Sequence, residues 1–234
     1  MSSLPIASSP TSEQADTRRR LLEAAGEVFA DQGFHHATVR EICRRAGANV
    51  AAVNYHFRDK ESLYLEVLTW CGQVALEKYP VAAGMRPDST PAERLGAFIR
   101  NYLDRLLDEG RPAWHGKLIS REMVEPTRAL DELAMHFVKP QYQRLREIVA
   151  GIISPGGAPV PEALLRQCAC SVVGQCLFYK LCRPMLQRIA PEQEYGPAAR
   201  AEIATHVLAF SLAGLESVRA RLAREHSDED GGAA

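Results

Sequence analysis

An all-α fold is predicted by three features of the 234-residue sequence. Apolar residues recur at helical spacing along nearly the whole chain, capping sequences punctuate them, and no convincing alternating strand lies between. The 46% apolar and 24% charged composition is that of a globular chain, not of a disordered one. Lys+Arg 28 against Asp+Glu 29 gives a net charge of -1, a sum that argues against a polyanionic partner until its local distribution is read.

Residues 1–14, rich in Ser, Pro and Thr, are expected to form a disordered tail, and the acidic, Gly-rich stretch 225–234 a second one. The first helix runs from about Asp16 to Gln32, with Leu22, Ala25, Val28 and Phe29 inward and Gly33 just past its end. Thr38-Val39-Arg40-Glu41 matches a capping box, Thr38 as N-cap and Glu41 reaching back. That short second helix turns Ile42, Cys43 and Ala46 inward and stops at Gly47, after which Asn49 caps a third, Val50 to Phe57. Asp59 caps a fourth, with Leu63, Tyr64, Val67, Leu68 and Cys71 inward, ending near Pro80.

Thr90-Pro91-Ala92-Glu93 combines a capping box with a proline at the first helical position and starts a helix over Ala92 to Glu109. Further helices are expected over 113–125, 128–153 with a bend before Pro140, 162–183 and 198–223. The joint near residue 75 divides the chain into a first part, 15–75, and a second, 76–224.

Six cysteines are too few and too clustered for a secreted disulfide framework and fit a reducing cytoplasm. The N-terminus lacks the basic and apolar regions of a signal peptide, and no apolar run approaches the roughly 18 residues of a membrane span. A cytoplasmic protein with no membrane partner is therefore expected. No HExxH, P-loop, GxSxG or dinucleotide fingerprint is present, the seven histidines show no metal-ligand spacing, and neither a catalytic site, a metal nor a cofactor is expected.

Thr38 to Lys60 reads as a helix-turn-helix: a capped helix, a tight Gly47-Ala48 turn and a second short helix suited to the major groove. Within it Arg40, Arg44, Arg45, Arg58 and Lys60 face only Glu41 and Asp59, a local charge of +3. Counterion release depends on which residues sit at the phosphates, so this local excess outweighs the whole-chain sum.

The stretch RRRLLEAAGEVFADQGFHHATVREICRRAGANVAAVNYHFRDKESLYLEVL, with its spaced FADQGF, TVREI, RAG, YHF and DKESL elements, resembles the DNA-binding domain of the TetR family of transcriptional regulators. The resemblance implies an N-terminal three-helix helix-turn-helix domain, a linking fourth helix, and a C-terminal helical domain for ligand binding and dimerisation. It places Thr38 and Arg40 near the DNA backbone, Asn49 to His56 on the recognition helix, and Tyr55, His56 and Lys60 at phosphates. Asn54 stands where many members have an aromatic residue, and Val50-Ala51 replaces a common Lys-Gly or similarly small pair. Asn54 can pair with adenine, and Val50 and Ala51 can approach thymine methyls, so some A·T reading is expected. Capping alone also accounts for Thr38, Val53 and Phe57 read as core, and Arg44 and Arg45 read equally well as a solvated face.

Residues 118–149 and 168–186 resemble the effector domain of the TetR subgroup associated with cefoperazone and chloramphenicol sensitivity, which implies a repressor of envelope, transport or export functions. Small and apolar residues on 162–183 and 198–223 suit a four-helix bundle in a homodimer. Candidates for contact with an unknown small-molecule effector are Trp114, His115, Arg121, Met123, His136, Phe137, Tyr142 and Tyr179, with Arg121 and Glu122 equally readable as an ion pair. The expected function is a ligand-responsive regulator, as a repressor, on a palindromic double-stranded DNA operator. Its rivals are a redox or metal sensor built on Cys168, Cys170, Cys176 and Cys182, and a helical scaffold without DNA affinity.

Overall fold

The structure, a computed structural model, describes residues 12–108 and 112–231. Its regular elements are all helical: α1 (Ser12–His36), α2 (Val39–Ala46), α3 (Val50–Phe57), α4 (Lys60–Lys78), α5 (Pro91–Leu107), α6 (Ala113–Val124), α7 (Ala129–Leu133), α8 (Lys139–Ile153), α9 (Glu162–Leu181), α10 (Arg183–Ile189) and α11 (Pro197–Gly231). A π-helical segment, Ala134–Val138, joins α7 to α8. It stands where the sequence expects a bend before Pro140, and α10 continues past the expected end of the helix that begins at 162.

Both expected tails are shorter than their composition suggests. Residues 1–11 lie outside the described residues, but 12–14 already belong to α1. At the other end α11 carries through 225–231, because neither proline nor glycine interrupts 225–230 and the first glycine of that stretch, Gly231, is its last residue.

The chain divides into two compact units. One comprises Met1–Gln73 with Arg111–Leu133, the other Val74–Gly110 with Ala134–Ala234. The crossing at 73/74 lies beside the expected joint, but α6 and α7 join the N-terminal unit, where the sequence division assigned them to the second part. The cause is side-chain packing on α1. Trp114 of α6 lies so close to Gly26 that a Cβ there would stand 2.2 Å from two of its ring carbons. Trp70 of α4 flanks the same ring at 5.8 Å between centroids.

In the first unit α1 supplies Leu21, Ala25, Val28 and Phe29 to a core completed by Ile42, Val53, Phe57, Leu63, Leu68 and Leu118, each essentially fully buried. Burying side chains of this size contributes roughly 1.5–3 kcal/mol apiece, which holds three short helices that would not persist alone. Phe29 meets Tyr64 edge-on at 4.8 Å. Gly33 takes φ 77°, ψ 168° and interrupts α1, so the expected stop is real although helical turns resume as far as His36.

The second unit packs α5, α8, α9 and α11 around Leu95, Ile99, Leu103, Leu145, Val149, Ala169, Val172, Ile203 and Val207. Thr90 and Glu93 form both halves of their capping box, and Pro91 occupies the first position of α5.

Candidate DNA-reading face and ligand cavity

Three local interactions set the geometry of α2 and α3. Thr38 Oγ1 accepts from the Glu41 amide at 3.2 Å. Gly47 closes α2 in the left-handed conformation, φ 61°, and its amide donates to Arg44 and Cys43 carbonyls. Asn49 Oδ1 then accepts from the Ala52 amide at 2.9 Å and starts α3. With Val53 and Phe57 buried, α3 turns Val50, Ala51, Asn54 and Tyr55 outward; Val50 is 47% and Tyr55 71% exposed. An apolar and aromatic surface of that kind costs free energy in water unless a partner covers it.

The second half of the expected capping box at Thr38 does not form. Glu41 pairs with Arg44 at 2.7 Å and with Arg45 at 3.1 Å in place of its own helix start. Hydrogen bonds from Arg44 and Arg45 hold its carboxyl far below the ordinary range, at about 2. Arg45 also lies near Glu27 and Asp31. Two of the five basic residues of the helix-turn-helix are therefore matched by acids within the unit.

The remaining predicted contacts are placed as follows. Arg40 is exposed on α2. His56 is half-buried against Tyr55 at 4.9 Å, and burial, with the Arg18 charge second, lowers its pKa and favours the neutral ring. Lys60 donates to the Ala37 carbonyl at 2.9 Å and lies 4.6 Å from the centre of the Phe34 ring, closing the end of α1.

Arg58, which the sequence counts in the basic segment without assigning it a contact, occupies the centre of a three-residue turn. The Asp59 amide donates to the Phe57 carbonyl at 2.9 Å while Arg58 takes φ 71°, ψ -54°. This positive-φ γ-turn is the rare, strained form, and it holds an exposed guanidinium where α3 ends. Its sequence signal is its place in the basic segment between YHF and DKESL.

Within the second unit α5, α8 and α9 line a half-open cavity of about 330 Å³. Phe98 and Tyr102 form one wall, their rings stacked at 5.9 Å and 14°, with Gln141 and Tyr142 from α8 and Val173 and Leu177 from α9 opposite. Gln141 is held at both ends: its oxygen accepts from Arg105 at 2.9 Å, and its amide nitrogen donates to the Phe137 carbonyl at 2.7 Å.

Of the eight effector candidates, Tyr142 lines this cavity and the others do not. Trp114, His115, Arg121 and Met123 lie on α6 in the first unit; His115 is buried, Met123 is exposed, and Arg121 pairs with Glu125 at 3.1 Å. Glu122 is not Arg121's partner. It is fully buried and accepts from Tyr64 Oη at 2.6 Å and from Thr127 N at 2.7 Å and Oγ1 at 2.9 Å. His136 and Phe137 occupy the π-helical segment, and Tyr179 packs against the second core.

Among the described residues no group of His, Cys, Asp and Glu could hold a metal ion, and no helix is long and apolar enough to cross a membrane. Cys170 is exposed and Cys182 half-buried, while burial raises the pKa of the Cys168 thiol and pushes Cys176 up to about 12, the direction of an unreactive thiol.

Comparison with known proteins agrees with both halves. The sequence is 33% identical to the HTH-type transcriptional dual regulator CecR of Shigella flexneri over 152 residues, 59% of this chain and 64% of that protein. It is 37% identical to the regulator SrpR of Pseudomonas putida over 83 residues, 36% of each chain. This chain thus matches just under two thirds of the first relative's length and about a third of the second's. A solved Pseudomonas aeruginosa PAO1 protein superposes with a TM-score of 0.65 at 21% identity, over 88% of this chain and 93% of that one. A TetR-family transcriptional regulator from Streptomyces coelicolor superposes with 0.59 at 17%, over 86% and 97%; at these identities both show the fold alone. The family model for bacterial regulatory proteins of the tetR family matches residues 21–67, covering the capped helices just described. Since the model for the C-terminal domain of the HTH-type transcriptional dual regulator CecR matches residues 91–215, just over half of the sequence, the chain belongs to the TetR family of transcriptional regulators with a CecR-type C-terminal domain.

Proposed function

We propose that the chain is a ligand-responsive repressor that binds a palindromic operator as a homodimer and is released by a small molecule. The observation that carries the DNA half is the outward face of α3, where Val50, Ala51, Asn54 and Tyr55 project from a helix fixed by the Asn49 cap and by buried Val53 and Phe57. Asn54 offers a donor and an acceptor to adenine, and Val50 and Ala51 offer methyl surface to thymine. Thr38, Arg40, Tyr55, Arg58 and, once redirected from the Ala37 carbonyl, Lys60 serve the backbone; His56 positions Tyr55.

Dimerisation is supported by exposed small and apolar residues on two long helices, Gly174, Phe178 and Leu181 of α9 and Ala209, Phe210 and Ala213 of α11. Gln175 donates to Ser211 at 3.1 Å and ties these helices into one surface. Two such surfaces related by a twofold axis close a four-helix bundle. The paired α3 helices then read half-sites about one DNA turn, roughly 34 Å, apart. A ligand releases the operator only by binding better to the dimer whose reading helices are wrongly spaced.

The test is fluorescence anisotropy with an operator fragment selected from genomic DNA. Tyr55→Ala combined with Arg40→Ala is expected to weaken binding at least about tenfold, in line with losing several backbone contacts, while the mass in solution stays that of a dimer. Unchanged affinity would remove α3 and α2 as the reading face.

A further inference from the structure

We propose that the cavity between α5, α8 and α9 takes an uncharged, mainly aromatic small molecule and discriminates against anions of the same shape. This rests on the ligand-responsive reading and names the chemistry of its effector. The wall residues include no Asp, Glu, Lys, Arg or His. A charged ligand would give up part of its hydration against a wall that offers no counter-charge, which disfavours it relative to a neutral ligand of the same shape.

Two cations border the wall, Arg105 at 5.6 Å from the centre of the Tyr102 ring and Arg146 beside Tyr142, and both are already engaged. Arg105 donates to the Tyr79 carbonyl at 2.8 Å and to Gln141, and Arg146 pairs with Glu162 while its guanidinium lies 5.7 Å from the centre of the Tyr142 ring. Recruiting either for an anion would break those contacts. The polar groups of the lining are the Gln141 amide, the Tyr102 and Tyr142 hydroxyls and the Cys170 thiol, with no Asp, Glu, Lys, Arg or His among them. Burial pushes the Tyr102 phenol up to about 12, so it stays protonated. A primary amide has two N–H groups, and the Phe137 carbonyl takes one from Gln141, which leaves the second for a ligand carbonyl or hydroxyl.

The Phe98 and Tyr102 rings stack on one another at an offset spacing and make this part of the lining aromatic, which suits an aromatic ligand. At about 330 Å³ the space lies at the small end of ligand pockets, ~300–1,000 Å³, and suits two or three rings.

The matched probes are N-phenylnaphthylamine, which is neutral, and anilinonaphthalene sulfonate, which carries the same rings and one negative charge. Full-length protein is expected to bind the neutral probe, seen as enhanced emission, and to bind the sulfonate at least about tenfold more weakly. Val173→Phe fills the cavity and should abolish the difference. Val138→Trp alters a residue 53% exposed at the rim, so it keeps the fold if the first variant does not, and should weaken the neutral probe about tenfold. Equal or tighter sulfonate binding overturns the proposal, as does neutral-probe binding untouched by both variants. Probe affinity that rises on dilution to the monomer marks a segment of a second copy as the occupant and overturns it too. Operator binding measured in the same samples separates the two readings. Neutral-probe binding without effect on DNA upholds the cavity chemistry and overturns effector release. Operator binding by the probe-free protein with no preference for the neutral probe overturns the cavity chemistry and leaves the DNA-binding reading standing.

Discussion

Gly26 sits in the middle of α1, where alanine would ordinarily strengthen the helix by about 0.8–1 kcal/mol. Here the sign is expected to reverse. The added methyl would meet Trp114 Cη2 and Cζ3 at 2.2 Å and Cε3 at 2.7 Å. Carbon atoms rest at roughly 3.5–4.0 Å, so the indole must retreat by more than about 1 Å. Trp70 at 5.8 Å and His115 at 4.1 Å between centroids obstruct that retreat. Overpacking costs about 1–3 kcal/mol, and an approach of 2.2 Å belongs in the upper part of that range, about 2–3, so after the propensity gain Gly26→Ala should destabilise the first unit by about 1–2 kcal/mol. In a Trp114→Ala background the obstruction is gone and the same substitution should stabilise by about 0.8–1 kcal/mol. The double-mutant cycle thus carries a coupling of about 2–3 kcal/mol with a change of sign. Both tryptophans of the chain, Trp70 and Trp114, lie in this cluster, so urea unfolding followed by their fluorescence reports on this unit, and Trp70 still reports after Trp114 is removed. If Gly26→Ala stabilises the otherwise unaltered protein, or costs the same in both backgrounds, the close contact of α6 with α1 is refuted.

Glu41→Gln releases Arg44, whereas Arg45 keeps its longer contacts with Glu27 and Asp31; the substitution should tighten non-specific DNA binding while steepening its logarithmic salt dependence by about one, measured by anisotropy across a salt series. The Glu41 carboxyl itself should titrate near 2; because its folded pKa is depressed, its contribution is fully present above the ordinary value of 4.5 and lost as pH falls through about 2, which carbon NMR of the side chain can follow. Arg58→Gly relieves the positive-φ turn and should raise stability by about 1 kcal/mol in chemical denaturation, yet reduce the salt slope of DNA binding by about one. Tyr64→Phe deprives the buried Glu122 carboxylate of one of its donors and should cost about 1.5–3 kcal/mol in the same measurement, with no loss if Glu122 is not held there.

Helix starts were legible because a cap is a local contract: Thr38, Asn49, Asp59 and Thr90 each bind an amide three residues on, and the spacing alone announces it. Glu41 departs from that logic because Arg44 and Arg45, at i+3 and i+4, offer charge-assisted partners that outcompete a backbone amide. The cavity was not legible in the same way. Trp114 and His115 have the side chains of a binding wall, but the helix that bears them packs on α1, and only the meeting of α5, α8 and α9 makes Phe98, Tyr102 and Gln141 neighbours. Those contacts join residues far apart in sequence, which periodicity cannot pair. The acidic end misled for a related reason: composition suggested a tail, whereas a run without an interior breaker extends a helix already nucleated by the packing of Ile203, Val207 and Leu215.

The same pairing of charges bears on how the reading face works. The sequence assigns +3 to Arg40–Lys60, but Arg44 and Arg45 sit on Glu41, and Lys60 is bound to the carbonyl end of α1. Arg40 and Arg58 are left as exposed cations of the segment without an ion pair among the described residues. Each phosphate contact contributes to affinity whatever the sequence, so a protomer offering few of them binds random DNA weakly. Under the proposed dimeric reading, that weakness works in favour of discrimination. The Asn54, Val50 and Ala51 contacts then form a larger share of the total, and only DNA that engages both α3 helices at once gathers enough of them to hold the regulator. A ligand need not remove any contact from the reading face to release it. Changing the spacing of two weakly charged heads is sufficient, because neither head binds well without the other.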